Sequence, residues 1–353
     1  FLIFVAPTSV TPVIDDPVSN STTLTGATLV YTQTTFPQTN YGLQTISLPA
    51  SLAGTTFRLI FTWQNDNSAG TTPGTSIDNI SLTSAIPNPL HGVYTIDNTM
   101  PTTTPMVHDG TGNFASFTAA INLLNTEGIS DDVTFHVLTD LTFTEDCPAI
   151  TATGTAANTI TFQSWGSGVN PVIRPTGTTG SYDAGITING GDYISFLGID
   201  INIATGSDVE FGYLIRNATA SNGAMHNYIG ANKITLNRAN TSSKGIYQYR
   251  AVTAADTNGT NSYNIYDGVT VENSYMGIYV YGSSSYNDKG CVIQGCTVGA
   301  ATANDIGAGS STTNGIRASY QTGIIISWNT VRNVSSSTTT YGIYLENGQG
   351  TNN

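Results

Sequence analysis

The chain has almost no lysine. Of its 353 residues only Lys233, Lys244 and Lys289 are Lys, charged residues of every kind make up 9%, and the acids leave a formal net charge of −13. Binding of nucleic acid depends on clustered Lys and Arg facing phosphate, so no nucleic-acid partner is expected, and net charge alone cannot hold a polyanion. Long apolar runs are missing as well. None approaches the 18–20 residues of a membrane-spanning helix, and the opening FLIFVAP is too short, and lacks the basic start, for a signal peptide; it reads as a buried strand. Cysteine is scarce: Cys147 stands alone, and Cys291 and Cys296 share one strand region. That spacing gives neither a disulfide framework nor a metal site, and reads as small buried apolar residues.

What the chain has is a degenerate repeat. A Gly followed by an apolar or aromatic residue opens an alternating strand at Gly185-Ile186, Gly212-Tyr213, Gly245-Ile246, Gly277-Ile278, Gly315-Ile316 and Gly342-Ile343, with steps of 27, 33, 32, 38 and 27 residues. A second Ile/Val-rich element lies half a period away and aligns Ile199, Ile234, Val271, Val298 and Val331. Both elements are short, β-branched and bounded by Gly, Asn and Ser, as strands are. Self-similarity at this period marks a solenoid, and short strands with variable loops predict a parallel β-helix.

Alternation along a strand sets the side-chain directions. With Ile246, Ile278, Ile316 and Ile343 inward, Gln248, Val280, Ala318 and Leu345 also point in, and Gln248 needs an internal hydrogen-bond partner. The outward set is then Tyr247, Tyr279, Arg317 and Tyr344, followed by Tyr249, Tyr281, Ser319 and Glu346: a partly aromatic stripe. Tyr rings stack on pyranoses and their hydroxyls bond sugar edges, so this stripe is the candidate contact surface for a glycan. A protein surface, or a ladder that only stabilises the sheet, fits the same residues.

Residues 1–86 read as short strands between Pro, Gly and Thr turns. The segment TTFRLIFTWQNDNSAGTTPGTSIDNISLTS (55–84) resembles the last hairpin of jelly-roll β-sandwich modules of the MAM-like and carbohydrate-binding kinds. In such a sandwich Asp66 and Asp78 are candidate Ca²⁺ ligands, calcium taking hard oxygen donors; no other cofactor is expected. Residues 87–113 form a Pro/Thr-rich junction with one short strand, Val93 to Ile96, and the β-helix is placed at 114–353. One helix is predicted, with Ser116 as N-cap, Phe117, Ala120, Ile121 and Leu124 on one face, and Gly128 past the end. It would cover the open end of the first coil.

The order GVYTIDN (92–98), GTGNFASFTAAINLLNTEGIS (110–130), DVTFHVL (132–138) and AANTITFQSW (156–165) resembles the start of right-handed β-helix proteins secreted by Bacteroidota, often large adhesin-like surface proteins exported by type IX secretion. The resemblance implies a cell-surface or extracellular location and an adhesive, repetitive architecture. A start in mid-strand and a stop in mid-repeat suggest a piece of a longer protein.

Catalytic constellations are sparse. Acids in the repeats are scattered, and Asp131-Asp132 reads as a solvated turn. Asp200, Glu272, Arg238 and Arg332 are the best charged cluster and read as charged strand edges. His91, His108, His136 and His226 lack metal-ligand spacing. The expectation is an all-β chain: a jelly-roll-like sandwich, then a right-handed parallel β-helix with one N-terminal capping α-helix. Its expected role is a non-catalytic extracellular stalk or filament component that contacts glycans or surface proteins, with self-association into fibres open. The alternative is a carbohydrate-active enzyme of the β-helix type, a polysaccharide lyase or glycoside hydrolase.

Overall fold

The computed structural model describes residues 1–11, 24–32, 44–49, 52, 55–62, 77, 80–81, 88–104, 106–177, 182–203, 208–301, 303, 305–309 and 311–348. The chain divides into two compact units, Phe1–Ile86 and Pro87–Asn353. In the first, Leu2–Pro7 is the central strand of an antiparallel sheet, flanked by Thr28–Thr32 and Phe57–Thr62. Phe4, Ala6 and Ile60 form its buried core. This single sheet is what the described residues show of the expected sandwich; Asp66 and Asp78 lie outside them.

The second unit is a parallel β-helix. Among the described residues it has three large parallel sheets, of nine, seven and six strands, and from Ile160 onward the chain visits them in turn, once per coil. The six-stranded sheet stacks Ala184–Asn189, Phe211–Arg216, Lys244–Tyr249, Met276–Tyr281, Thr313–Ser319 and Thr340–Glu346, which are the six Gly-led segments in sequence order. The second repeat element supplies the seven-stranded sheet, in register Ile201↔Ile234↔Val271↔Val298↔Val331. Here the structure corrects the alignment: Ile201, not Ile199, stands in the row, which continues to Ile173 and Phe143. Ile199 and Ile201 are both fully buried, so an apolar pattern alone could not separate them.

The repeat also has a packing logic. A Cβ added at Gly185 would meet Ile201 Cδ1 at 2.7 Å, and Gly212, Gly245, Gly277 and Gly315 face Ile234, Val271, Val298 and Val331 still more closely. The Gly row therefore exists because the opposite β-branched row fills its space, and the two sequence signals are two halves of one contact. Close packing of this kind leaves no room for even one methyl.

Inside the coils, Phe135, Phe162 and Phe196 stack with centroids 4.5 and 4.7 Å apart. Buried asparagines tie coil to coil: Asn264 accepts from Asn227 N–H at 2.9 Å and donates to Ala224 O, and Asn227 does the same for Ile194 N–H and Gly191 O. These side chains satisfy backbone groups at corners where no ladder can reach them.

The helix Phe117–Glu127 forms as its sequence predicts. Ser116 accepts from Ala119 N–H at 3.0 Å, Gly128 takes φ +67°, and Phe117, Ala120, Ile121 and Leu124 are buried. The Glu145 carboxylate receives the N–H groups of Phe117 and Thr118 at 3.0 and 2.8 Å, a favourable place for an anion. The helix packs against Leu90–Ile96 and Asn113–Phe114, at one end of the nine-stranded sheet. Leu90–Ile96 pairs in parallel with Ile129–Leu138, so the segment expected to be a junction supplies the first coil. The short strand expected at Val93 to Ile96 starts earlier, at Leu90, and its Leu90, Tyr94 and Ile96 are fully buried. Among the described residues, no helix is long and apolar enough to cross a membrane.

Candidate functional site

The outward face of the six-stranded sheet is built by strict alternation. Ile246, Ile278 and Ile316 are buried in the core, and between them and the next inward row stand Leu214, Tyr247, Tyr279, Arg317 and Tyr344 in register. A second outward row holds Arg216, Tyr249, Tyr281, Ser319 and Glu346. The six contact residues expected from sequence, Tyr247, Tyr249, Tyr279, Tyr281, Arg317 and Tyr344, thus share one face.

Their rings are arranged differently from an open platform. Tyr247 stacks on Tyr279 at 5.4 Å and on Tyr249 at 5.0 Å, and Tyr281 lies 6.2 Å from Tyr249 and 5.6 Å from Tyr279. Strands about 4.8 Å apart bring outward side chains of adjacent coils into contact, so ring faces are occupied by other rings. Tyr247 and Tyr279 keep only 9% and 8% of their surface exposed, and they pack with Phe211 and Leu214 as a small second core. Tyr182, 46% exposed, closes one side of the stack against Phe211 and Tyr249.

Cations cap the rings. Lys244 Nζ lies 4.7 Å from the Tyr247 centroid and 5.2 Å from that of Phe211. Arg317 sits 4.7 Å from Tyr279 and 5.5 Å from Tyr344, and Arg250 sits 4.8 Å from Tyr281. Such contacts are worth about 0.5–2 kcal/mol each. Arg250 Nη2 also donates to the Tyr281 hydroxyl at 2.8 Å, and Arg317 Nη2 pairs with Glu346 Oε2 at 2.9 Å. Burial holds the Lys244 ammonium down to about 8, with Glu210 opposing and Arg317 reinforcing the shift. Burial raises the Tyr247 and Tyr279 hydroxyls, so they are hydrogen-bonding groups at neutral pH and not bases.

Glu210 and Glu346 do not make a working pair on this face. Glu210 precedes the second strand of the sheet and Glu346 ends the sixth, at least roughly 19 Å apart at the strand spacing. Glycoside hydrolysis needs about 5–9.5 Å. The acid beside Glu210 is Asp183, whose N–H donates to Glu210 Oε2 at 2.9 Å and whose charge adds to burial in raising the Glu210 carboxyl. The charged cluster read from sequence does not assemble either. Asp200 accepts from Asn170 and Lys233 N–H, Glu272 pairs with Lys233 at 2.8 Å, and Arg238 and Arg332 donate to the carbonyls of Gly307 and Gly299. Among the described residues no three His, Cys, Asp or Glu are placed to hold a metal ion. Burial pushes the Cys291 and Cys296 thiols up to about 12 and about 11, so neither is a ready nucleophile.

Gln248 finds its internal partners in a buried polar network that the sequence did not reveal. Its Nε2 donates to Asn261 O at 2.8 Å and to Asp288 Oδ2 at 2.6 Å, and its Oε1 accepts from the Tyr266 hydroxyl at 2.7 Å and from Asn264 Nδ2 at 3.2 Å. Asp288 is 1% exposed and also accepts from Asn261 N–H at 2.9 Å and Gln321 Nε2 at 3.3 Å. Burial raises its carboxyl to about 6 against those three hydrogen bonds. Among sequence signals, only the polar Gln248 in an apolar row pointed here.

No family model matches this sequence, and neither does a curated protein. Among solved structures, an alginate lyase from Paenibacillus sp. str. FPU-7 is similar over 66% of this chain and 95% of its own, at 14% sequence identity and a TM-score of 0.23. A likeness at that score carries no argument, and the fold rests on the strand pairing described above.

Proposed function

We propose that this chain is a non-catalytic, extracellular binding scaffold whose tyrosine face contacts a glycan chain, as part of a stalk or adhesive structure on a bacterial surface. The observation that carries the reading is the outward face itself: tyrosine edges and hydroxyls, interleaved with Lys244, Arg250 and Arg317, repeated at the coil spacing. A polymer laid along the coils would meet the same tyrosine pair on two successive coils, Tyr247 with Tyr249 and Tyr279 with Tyr281. Stacked rings held by cations are already ordered, so little side-chain entropy is lost when a ligand arrives. Asp200 and Glu272, each held by its own partners, support binding over hydrolysis. Another protein surface remains the other partner for such a face.

The enzyme reading has one observation in its favour. An amine at about 8 is partly neutral near pH 7.5 and could serve as a general base, the role a polysaccharide lyase requires. Size-exclusion chromatography of labelled polysaccharides, neutral and uronate, incubated with the protein and Ca²⁺, separates the two. A shift of the glycan to larger size is expected. A shift to smaller fragments would overturn the scaffold reading and make Lys244 the first residue to replace.

A further inference from the structure

Tyr182 stands apart from the other tyrosines of this face. Its backbone takes φ +83°, in the left-handed region, where a bulky side chain is uncommon and strained. The coil itself does not require this. Val209, Ser242 and Ser274, at the same place before the next three strands, take no positive φ. The strain is held by bonds just after it: Asp183 O accepts from Glu210 and Phe211 N–H at 3.1 and 2.9 Å, and Asp183 N–H donates to Glu210 Oε2 at 2.9 Å. Strain kept in place by its surroundings points to a use for the side chain.

The strained residue lays a ring across the face. Tyr182 lies 6.0 Å from the Phe211 centroid and 5.7 Å from that of Tyr249, the second at an interplanar angle of 23°. Phe211 is in register with Lys244, the first residue of the strand that Tyr249 ends. A ring that touches both therefore lies on the aromatic layer and not within it. Tyr247 and Tyr279 are buried, Tyr249 and Tyr281 are half-buried, and Tyr182 keeps 46% of its surface exposed. It supplies the broad ring surface that the layer beneath withholds. The charged groups beside it are Asp183 and Glu210, with Lys244 over Phe211, two acids against one cation.

We infer that Tyr182 is the stacking subsite of this face, and that it takes a neutral glycan built of pyranoses with equatorial hydroxyls. The inference rests on the glycan-contact reading and names the class of glycan. Equatorial hydroxyls leave the broad sides of a pyranose lined by C–H groups, which match the apolar surface of an aromatic ring. A tyrosine offers that surface rigidly, at little cost in side-chain entropy. A uronate chain would bring carboxylates towards Asp183 and Glu210, and like charges there select against it.

Isothermal titration calorimetry of the full chain with cellohexaose, and with its C6-oxidised uronate form, tests both halves. Wild type is compared with Tyr182→Gly, Tyr182→Ala and Tyr182→Phe. The control is Tyr286→Ala, a tyrosine 40% exposed and outside the rows of the face. The expected result is tighter binding of cellohexaose than of the uronate form. Losing the ring in the Gly and Ala variants should lower that affinity about tenfold, while Tyr182→Phe keeps it within about threefold. The control should change nothing. A merely structural role would lower affinity and thermal midpoint together. Here Tyr182→Gly should melt about 2–4 °C above Tyr182→Ala, because only glycine sheds the strain, and yet bind cellohexaose no better. Wild-type affinity in both ring-deleted variants would overturn the stacking subsite and leave glycan contact standing. A uronate form bound as tightly as cellohexaose would overturn the neutral class. Binding of neither hexamer by wild type would overturn both the subsite and the glycan reading.

Discussion

Asp288 makes the solenoid's stability depend on pH in an unusual direction. Its carboxyl is raised by burial to about 6 in the folded protein from a model-peptide value of 3.8, and every partner is a neutral donor: Gln248, Asn261 and Gln321. A group whose folded pKa is raised binds its proton more tightly in the folded state. Its stability contribution is therefore fully present below about pH 4 and is lost as pH rises through 6. Two units correspond to roughly 3 kcal/mol, of which about 2 to 3 kcal/mol disappears between pH 4 and 7.5. Asp288→Asn removes the titration and keeps the shape, although its amide sets a donor against the Gln248 and Gln321 donors, a fixed penalty of about 1–3 kcal/mol. The fixed penalty cancels when the difference between variant and wild type is followed with pH. Thermal unfolding of both proteins from pH 4 to 7.5 should show the variant gaining on wild type by about 2 to 3 kcal/mol, or roughly 4–12 °C at 2–4 °C per kcal/mol. Parallel curves would refute the claim that Asp288 ionises inside an uncompensated network.

Other perturbations test the packing. Gly277→Ala should destabilise by about 1–3 kcal/mol, because its Cβ would overlap Val298 and Gly315 O, whereas Gly342→Ala, with nothing within 4 Å, should stay within about 0.5 kcal/mol; denaturant midpoints compare the two. Asn264→Ala should cost roughly 2–4 kcal/mol in the same assay by orphaning Asn227 N–H and Ala224 O. Tyr279→Ala should cost about 3–5 kcal/mol through loss of a buried ring, while Tyr279→Phe, whose hydroxyl makes only a 3.5 Å contact with Ser319, should leave stability within about 0.5 kcal/mol and weaken glycan retention.

Much of the fold was legible because a solenoid writes its contacts into the sequence at a fixed interval. The Gly-led segments and the Ile/Val row are far apart within each coil, yet each recurs where the next coil must stack on it, and the capping helix carried its own start and stop residues. The first coil was legible only as a short strand at Val93 to Ile96; because Leu90–Ile96 lies outside the Gly-led repeat and sits among prolines and threonines, the repeat spacing did not show its pairing with Ile129–Leu138. Register was ambiguous by two residues wherever both alternatives were apolar, as at Ile199 and Ile201. At the candidate site the sequence placed the tyrosines on one face but could not show ring orientation, which depends on the spacing between coils. Lys244 escaped notice because it precedes the Gly of its strand, and its role comes from leaning over Phe211 and Tyr247. The Asp288 network joins residues 40 and 33 positions apart, with nothing local to announce it.

The account turns on whether the tyrosine face meets a glycan. Hydroxyl-radical footprinting of the tyrosines, with and without a saturating polymer chosen from the binding panel, tests this directly. Tyr263 and Tyr286, 44% and 40% exposed and outside the face's two rows, serve as internal references. The account predicts that labelling of Tyr182, Tyr249, Tyr281 and Tyr344 falls on binding while the two references are unchanged. Protection of the references alone, or of no tyrosine while the polymer is bound, would place the contact elsewhere and contradict it.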